Sequence, residues 1–241
     1  MTQIPSSAPI IQLDNIGYQV RNDGQTLSIL EHCQLHVEPG QSVAIVGRSG
    51  SGKSTLLAIM AGLEKPTQGR AFLLGQEISQ LSEDECAKLR AQQVGFVFQN
   101  FQLLPSMTAL ENVLLPLELF QIEQAREKAL AALDKVGLHQ RAKHLPNQLS
   151  GGEQQRVAIA RAFVTAPKVL FADEPTGNLD EQTAHQIQAL LFELQQTQKT
   201  SLILVTHDMH YAHACDQVLQ LQQGRLQPLK QTPTLGSGHV S

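Results

Sequence analysis

Val43-Ala44-Ile45-Val46-Gly47-Arg48-Ser49-Gly50-Ser51-Gly52-Lys53-Ser54-Thr55-Leu56-Leu57 is the stretch from which the rest of the chain can be read. Residues 42–46 make a short apolar run of strand type that passes directly into a turn matching G-x-x-x-x-G-K-[ST] at every defined position. Side chains at Gly47, Gly50 and Gly52 would obstruct a backbone that wraps closely around phosphate groups with its N–H donors pointing inward. A helix expected over 53–60, closed by Gly62, adds the positive end of its dipole. Lys53 brings a cation to the terminal phosphates and Ser54 a hydroxyl suited to Mg2+, so Gly47 to Thr55 reads as a polyphosphate cradle, with Arg48, Ser49, Ser51 and Thr55 among its residues.

Outward from this unit the chain alternates strands and helices, which predicts an α/β fold with a mostly parallel sheet. Strands are expected at 10–13, 33–37, near 71–74, and at 94–98, 168–172 and 201–206, and a hairpin pairs 217–221 with 225–229 around Gln223-Gly224. Cys33, Leu35 and Val37 alternate with polar neighbours as in a half-buried strand. Helices are expected from about Ser82, where Glu85 completes a capping box, and over 181–198. From 101 to about 166 helical signals dominate: a Thr108/Glu111 capping box, an amphipathic helix over 122–136 stopped by Gly137, and a further helix from Ser150. That segment reads as a helical subdomain inserted in the α/β core, inside one domain spanning 8–229. Residues 230–241 are small, polar and glycine-rich, the composition of a loose tail.

Composition removes several functions. The 241 residues are 41% hydrophobic and 17% charged with a net charge of −4, a folded globular profile lacking the basic field that nucleic acid requires. Direct nucleic-acid binding is therefore not expected. Spanning a bilayer takes roughly 20 apolar residues, and the richest run, 113–120, is broken by Pro116 and Glu118. The first ten residues lack the basic start and apolar core of a secretion signal, which places the expected location in the cytosol. Cys33, Cys86 and Cys215 are far apart and without CxxC spacing, the pattern of reduced structural thiols.

A second acidic element appears where 169–172 (Val-Leu-Phe-Ala) ends in Asp173-Glu174. A carboxylate at the end of a buried parallel strand faces the crevice in which open α/β sheets bind ligands. Asp173 would act through the metal, and Glu174 could polarise the water that attacks a γ-phosphate. Between these two elements stands Leu149-Ser150-Gly151-Gly152-Glu153-Gln154-Gln155, an S-x-x-E capping box whose two glycines leave N–H groups bare at a helix N-terminus.

With these residues in this order, the chain resembles the ATP-binding cassette (ABC) family, whose signature is LSGGQ; position five here is Glu153, a common variant. The resemblance implies a P-loop ATPase core of ABC type with an antiparallel β subdomain and the inserted helical subdomain, ATP and Mg2+ as ligands, and further site residues. Gln99 matches the family's Q-loop glutamine, which looks at the metal, beside Ser54 and Asp173; His207 matches the switch histidine at the γ-phosphate; Asn178-Leu179-Asp180 corresponds to the D-loop. The adenine stack is normally aromatic, and here Tyr18 is the obvious candidate while ungapped alignment puts Val20 at the position. In this family two cassettes meet head to tail, so Ser150, Gly151 and Gly152 of one copy would close over ATP held by the other. Phe96-Val97-Phe98-Gln99, Leu103-Leu104-Pro105, residues 108–113 and the string ADEPTGNLD over 172–180 resemble the lipoprotein-release and macrolide-export branch. Ser28-Ile29-Leu30 and residues 151–156 resemble the YbbA type within it. That implies a separate, FtsX-like permease as partner and peripheral attachment to the cytoplasmic side of the inner membrane, with ATP driving export, extraction or periplasmic movement. A soluble ABC ATPase of nucleic-acid repair or translation is the rival reading, as is a regulatory module that activates a periplasmic enzyme.

Overall fold

Alternating residues of three buried parallel strands face opposite ways, and each face has its own hydrophobic core. The computed structural model describes residues 8–22, 25–91 and 93–229; the expectation of a loose tail at 230–241 lies outside them. A six-stranded sheet contains β3 (Ser42–Val46), β6 (Val94–Phe98), β7 (Val169–Asp173), β8 (Ser201–Val205), β9 (Gln217–Gln222) and β10 (Arg225–Pro228) in the order β10-β9-β3-β8-β7-β6. All its neighbours are parallel except the β9–β10 hairpin. Val43, Ile45, Val169, Phe171, Ile203 and Val205 pack on one side. Ala44, Leu170, Ala172, Leu202 and Leu204 pack on the other. Burial on both faces is why these strands read as unbroken apolar runs.

The first face is covered by helix α1 (Lys53–Met60) and a four-stranded antiparallel sheet, order β2-β1-β4-β5, from β1 (Ile11–Asn22), β2 (Gln25–Val37), β4 (Gln68–Leu73) and β5 (Gln76–Glu77). Helix α2 (Glu83–Arg90) opens with the expected Ser82/Glu85 capping box. The second face is covered by α3 (Ala109–Leu119), α4 (Ala125–Lys135), α5 (Gly151–Phe163) and α6 (Glu181–Gln198). A short α7 (Met209–Ala212), capped by Asp208, follows β8. The segment between β6 and β7 thus holds α3, α4 and α5, with Thr108 and Ser150 forming the two expected capping boxes.

Two expectations are corrected. The strands read at 10–13 and 33–37 are the inner ends of a far longer hairpin, β1 with β2, whose register shifts between Leu13 and Gln19 interrupt the period-two pattern, and whose outer half is exposed. The helix read over 122–136 starts at Ala125, because Gln121 and Gln124 adopt left-handed φ of 52° and 55° and turn the chain first. Cys33, Cys86 and Cys215 are all buried free thiols, and burial pushes the Cys215 pKa up to about 12.

Candidate functional site

Where β3 ends, the chain turns through 47–52 and enters α1 at Gly52, whose φ of 99° suits only glycine. Gly47 is bound sterically: a Cβ there would lie 2.6 Å from the Leu221 carbonyl oxygen and 2.8 Å from Ser51 Oγ. The Lys53 side chain folds back under the turn, its ammonium donating to the carbonyl oxygens of Gly47 at 2.9 Å and Arg48 at 3.1 Å. An ammonium has three donors, so one remains for an incoming oxygen. Ser51 Oγ is buried behind the turn with no hydrogen-bond partner among the described residues, and Ser51 is not among the residues that line the cavity at the mouth of the turn.

Across the mouth of the turn, at the C-terminal edge of β7, Ser54 Oγ donates to Asp173 Oδ2 at 3.0 Å. An octahedral Mg2+ shell with bonds near 2.1 Å sets adjacent ligand oxygens about 3.0 Å apart, so this pair fits the cation. Groups of three or more His, Cys, Asp or Glu side chains able to hold a metal are absent among the described residues. A Mg2+ shared between a hydroxyl, one carboxylate and phosphate oxygens needs no such group.

Glu174, one residue past the strand, has a left-handed φ of 47° with its N–H bonded to the Val205 carbonyl at 2.9 Å. A glutamate held there by sheet pairing carries local strain of the kind found at reacting centres. Its Oε2 lies 2.8 Å from His207 Nδ1. An ionised carboxylate only accepts, so Nδ1 carries the proton of that bond. One cavity of about 520 Å³ gathers Lys53, Ser54, Gln99, Asp173, Glu174 and His207, which come from four separated strand ends. Gly47, Ser49, Gly50, Gly52 and Thr55 also line it.

Other predicted residues lie apart. Ser150, Gly151 and Gly152 are outside that cavity's lining: the Ser150 hydroxyl accepts from the Glu153 N–H at 3.2 Å, and the Glu153 carboxylate accepts from the Ser150 N–H at 2.8 Å and from Arg141 at 3.1 Å. The Ser150 backbone N–H, opposed by burial and aided by the Ser150 hydroxyl and Arg141, holds the Glu153 carboxyl below its ordinary pKa. Asp180 caps α6, accepting from the Thr183 N–H at 3.0 Å, which lowers its pKa. Tyr18 is half-buried; burial first, then the charge of Glu64 and a hydrogen bond to it, raises the phenol pKa. Val20 is 41% exposed and pairs across the hairpin with Leu27, itself 61% exposed. Neither Tyr18 nor Val20 reaches the phosphate cavity.

Three contributors escaped sequence reading. Ile29 of β2 forms one wall of the cavity. Arg161 of α5 donates to the carbonyls of Gln102 at 2.8 Å and Phe101 at 3.1 Å, both residues in left-handed φ just after Gln99. Gln155, fully buried in α5, donates to the Pro175 carbonyl at 2.6 Å and so ties the helix behind Ser150 to the loop behind Glu174. An arginine and a glutamine on the inward stripe of an amphipathic helix were the available signal for the last two.

Known proteins match this arrangement. The profile of the family described as ABC transporter matches residues 30–177. The ABC transporter ATP-binding protein YbbA of Escherichia coli (strain K12) is 51% identical over 220 residues, covering 90% of this chain and 96% of the relative. The lipoprotein-releasing system ATP-binding protein LolD of Pseudomonas fluorescens is 48% identical over 223 residues, or 92% of this chain and 98% of the relative. A solved structure, the ATP-binding cassette MJ0796 as a dimer in a post-hydrolysis state bound to ADP and Pi, superposes with a TM-score of 0.83 at 38% identity. That match covers 92% of this chain and 100% of the other.

Proposed function

The chain belongs to the ABC transporter family as an ATP-hydrolysing cassette, and on that premise we propose how its residues divide the work and what they drive. The carrying observation is the single cavity that gathers Lys53, Ser54, Gln99, Asp173, Glu174 and His207 at the ends of parallel strands. Residues 47–55 bind the phosphates through inward N–H groups and the free donor of Lys53. Ser54, Asp173 and Gln99 would hold Mg2+, which when bound would neutralise charge on the phosphate oxygens. Glu174 orients the attacking water and takes its proton, and His207, already bonded to Glu174, keeps that carboxylate in place beside the γ-phosphate. Val20, on the exposed outer half of the hairpin, rather than the half-buried Tyr18, is the residue that meets the base.

Ser150, Gly151 and Gly152 complete the site from a second copy, with Asp180 in the D-loop between them; the solved cassette of this kind is a dimer. ATP then holds two copies together, hydrolysis releases them, and residues 101–166 of the 8–229 domain pass the motion on. No described helix is long and apolar enough to cross a membrane, and the similar proteins are named as ATP-binding parts of transporters and of a lipoprotein-releasing system. The chain therefore associates peripherally with a membrane through an integral permease, of FtsX-like type, on the cytoplasmic side of the inner membrane. The reading as a soluble ATPase of nucleic-acid repair or translation finds no support among these relatives.

The test is recovery of tagged Glu174→Gln protein, held with ATP, from detergent-solubilised membranes, followed by mass identification. A co-purifying permease supports the proposal. Recovery of only soluble or nucleic-acid-binding proteins sinks it.

A further inference from the structure

We propose that Asn178 is a positioning residue that decides which end of the Gln99 amide faces the phosphate cavity, and thereby presents the Gln99 carbonyl oxygen to the metal. The inference rests on the reading of Gln99 as a metal ligand and is separable from it by experiment. A side-chain amide has two ends of nearly the same shape and opposite chemistry, so its orientation follows from its partners. The main-chain carbonyl of Gln99 can only accept, and Asn178 Nδ2 stands 3.1 Å from it. The same nitrogen donates to Asn100 Oδ1 at 2.8 Å. Asn178 therefore turns its oxygen the other way, where it lies 3.0 Å from the Gln99 side-chain nitrogen. That oxygen can only accept, so the Gln99 end beside it must be the NH2, and Oε1 is the end left over. Mg2+ takes oxygen ligands, and the opposite orientation would set oxygen against oxygen and offer the metal an amide NH2.

Gly177 makes room for this arrangement. A Cβ there would stand 2.8 Å from Gln99 Nε2 and 3.1 Å from Gln99 Cδ. Gly177 is not among the glycines with left-handed φ, so alanine at this position pushes on the amide without straining the backbone. Gln99, Asn100 and Asn178 are all exposed, so their mutual bonds add little to folding. A role confined to stability would be small and would move the melting temperature; a role in orientation moves the response to Mg2+.

The experiment measures ATP affinity by calorimetry, with Mg2+ and with EDTA, in full-length Glu174→Gln protein carrying Gln99→Ala, Asn178→Ala, both together, or Gly177→Ala. The ratio of the two affinities is the Mg2+ linkage. Expected is a loss of roughly tenfold in that linkage for Asn178→Ala, a loss in the same direction for Gly177→Ala, and unchanged affinity in EDTA. Melting temperature should move by less than about 2 °C. Added to Gln99→Ala, the Asn178→Ala change should cost nothing more, because its effect runs through Gln99. If Gln99→Ala reduces the linkage while Asn178→Ala leaves it intact, the positioning role is overturned and the ligand reading stands. Additive losses in the double variant also overturn the positioning role. If Gln99→Ala itself leaves the linkage intact, the ligand reading falls and this inference with it.

Discussion

The cavity at the turn after β3 and the N-terminus of α5 both set backbone N–H groups at a helix start, yet they are furnished in opposite ways. Around the cavity the chain places charged and polar side chains: an ammonium from Lys53, a hydroxyl beside the Asp173 carboxylate, and Glu174 bonded to His207. At α5 the capping box satisfies itself, Glu153 answering Ser150, and Gly151 and Gly152 face Leu179 and Thr183. On the proposed reading one site takes a ligand and the other meets a partner that brings one. The difference would then make binding a property of one copy and closure a property of two.

Replacing Glu174 by Gln tests the first half of that contrast and should have the largest effect. Turnover falls on the order of 10²-fold or more, since the proton acceptor is lost. ATP binding and ATP-dependent pairing persist, because the amide keeps the size of the carboxylate and leaves Lys53 and the 47–52 turn in place. Phosphate release in single-turnover assays, set beside nucleotide affinity and light scattering, checks both parts; near-normal turnover would break the assignment. Lys53→Ala acts earlier. Removing a charged donor to phosphate should weaken ATP binding itself by roughly 10- to 100-fold. Unchanged affinity in a filter-binding assay would mean that the turn does not hold the phosphates.

These contrasts also explain what could be read in the residues before the fold was known. The turn after Val46, the carboxylates after Ala172 and the three S/T-x-x-E boxes at Ser82, Thr108 and Ser150 are local patterns, and all appear where their spacing placed them. Apolar runs at 42–46 and 201–206 marked strands because both of their faces are buried. The outer half of the β1–β2 hairpin escaped because bulges shift its alternation and solvent covers it, and with it went Ile29 as a wall of the cavity. The Gln99–Asn178 contact joins residues 79 positions apart, and only the parallel pairing of β6 with β7 brings their loops together. Spacing along the chain carries no trace of such a contact.

Ser150→Ala separates the second site from the first with a smaller effect. Loss of the cap should cost about 1 kcal/mol of stability. ATP-driven pairing should weaken by roughly tenfold, while the affinity of a single copy for ATP, measured at protein concentrations below pairing, stays the same. A fall in single-copy affinity would erase the distinction between the two sites. The same box predicts a pH effect of definite sign. Because the Ser150 N–H holds the Glu153 carboxyl below 4.5, its contribution to stability is complete above that pH and is lost as pH falls through the lowered value. A Glu153→Gln protein, whose amide does not titrate, should show a shallower acid limb in thermal melts between pH 5 and 3.

The smallest effect concerns the base, at the edge of the complete site. The turn offers many donors to phosphate, whereas among the described residues the hairpin contributes aliphatic Ile29 to the cavity wall and carries the exposed pair Val20 and Leu27 farther along. Aliphatic side chains bury a base without reading its hydrogen-bonding edge or stacking on its face. Val20→Tyr should therefore tighten ATP binding by roughly three- to fivefold, the value of an added aromatic contact. Tyr18→Phe should leave affinity as it is, since the half-buried Tyr18 does not line the cavity. Calorimetric titrations of the two variants decide between the positions. Tighter binding at 20 with no change at 18 places the base over the hairpin's outer half, whereas a loss at 18 moves it inward, to the half-buried ring two residues nearer the core.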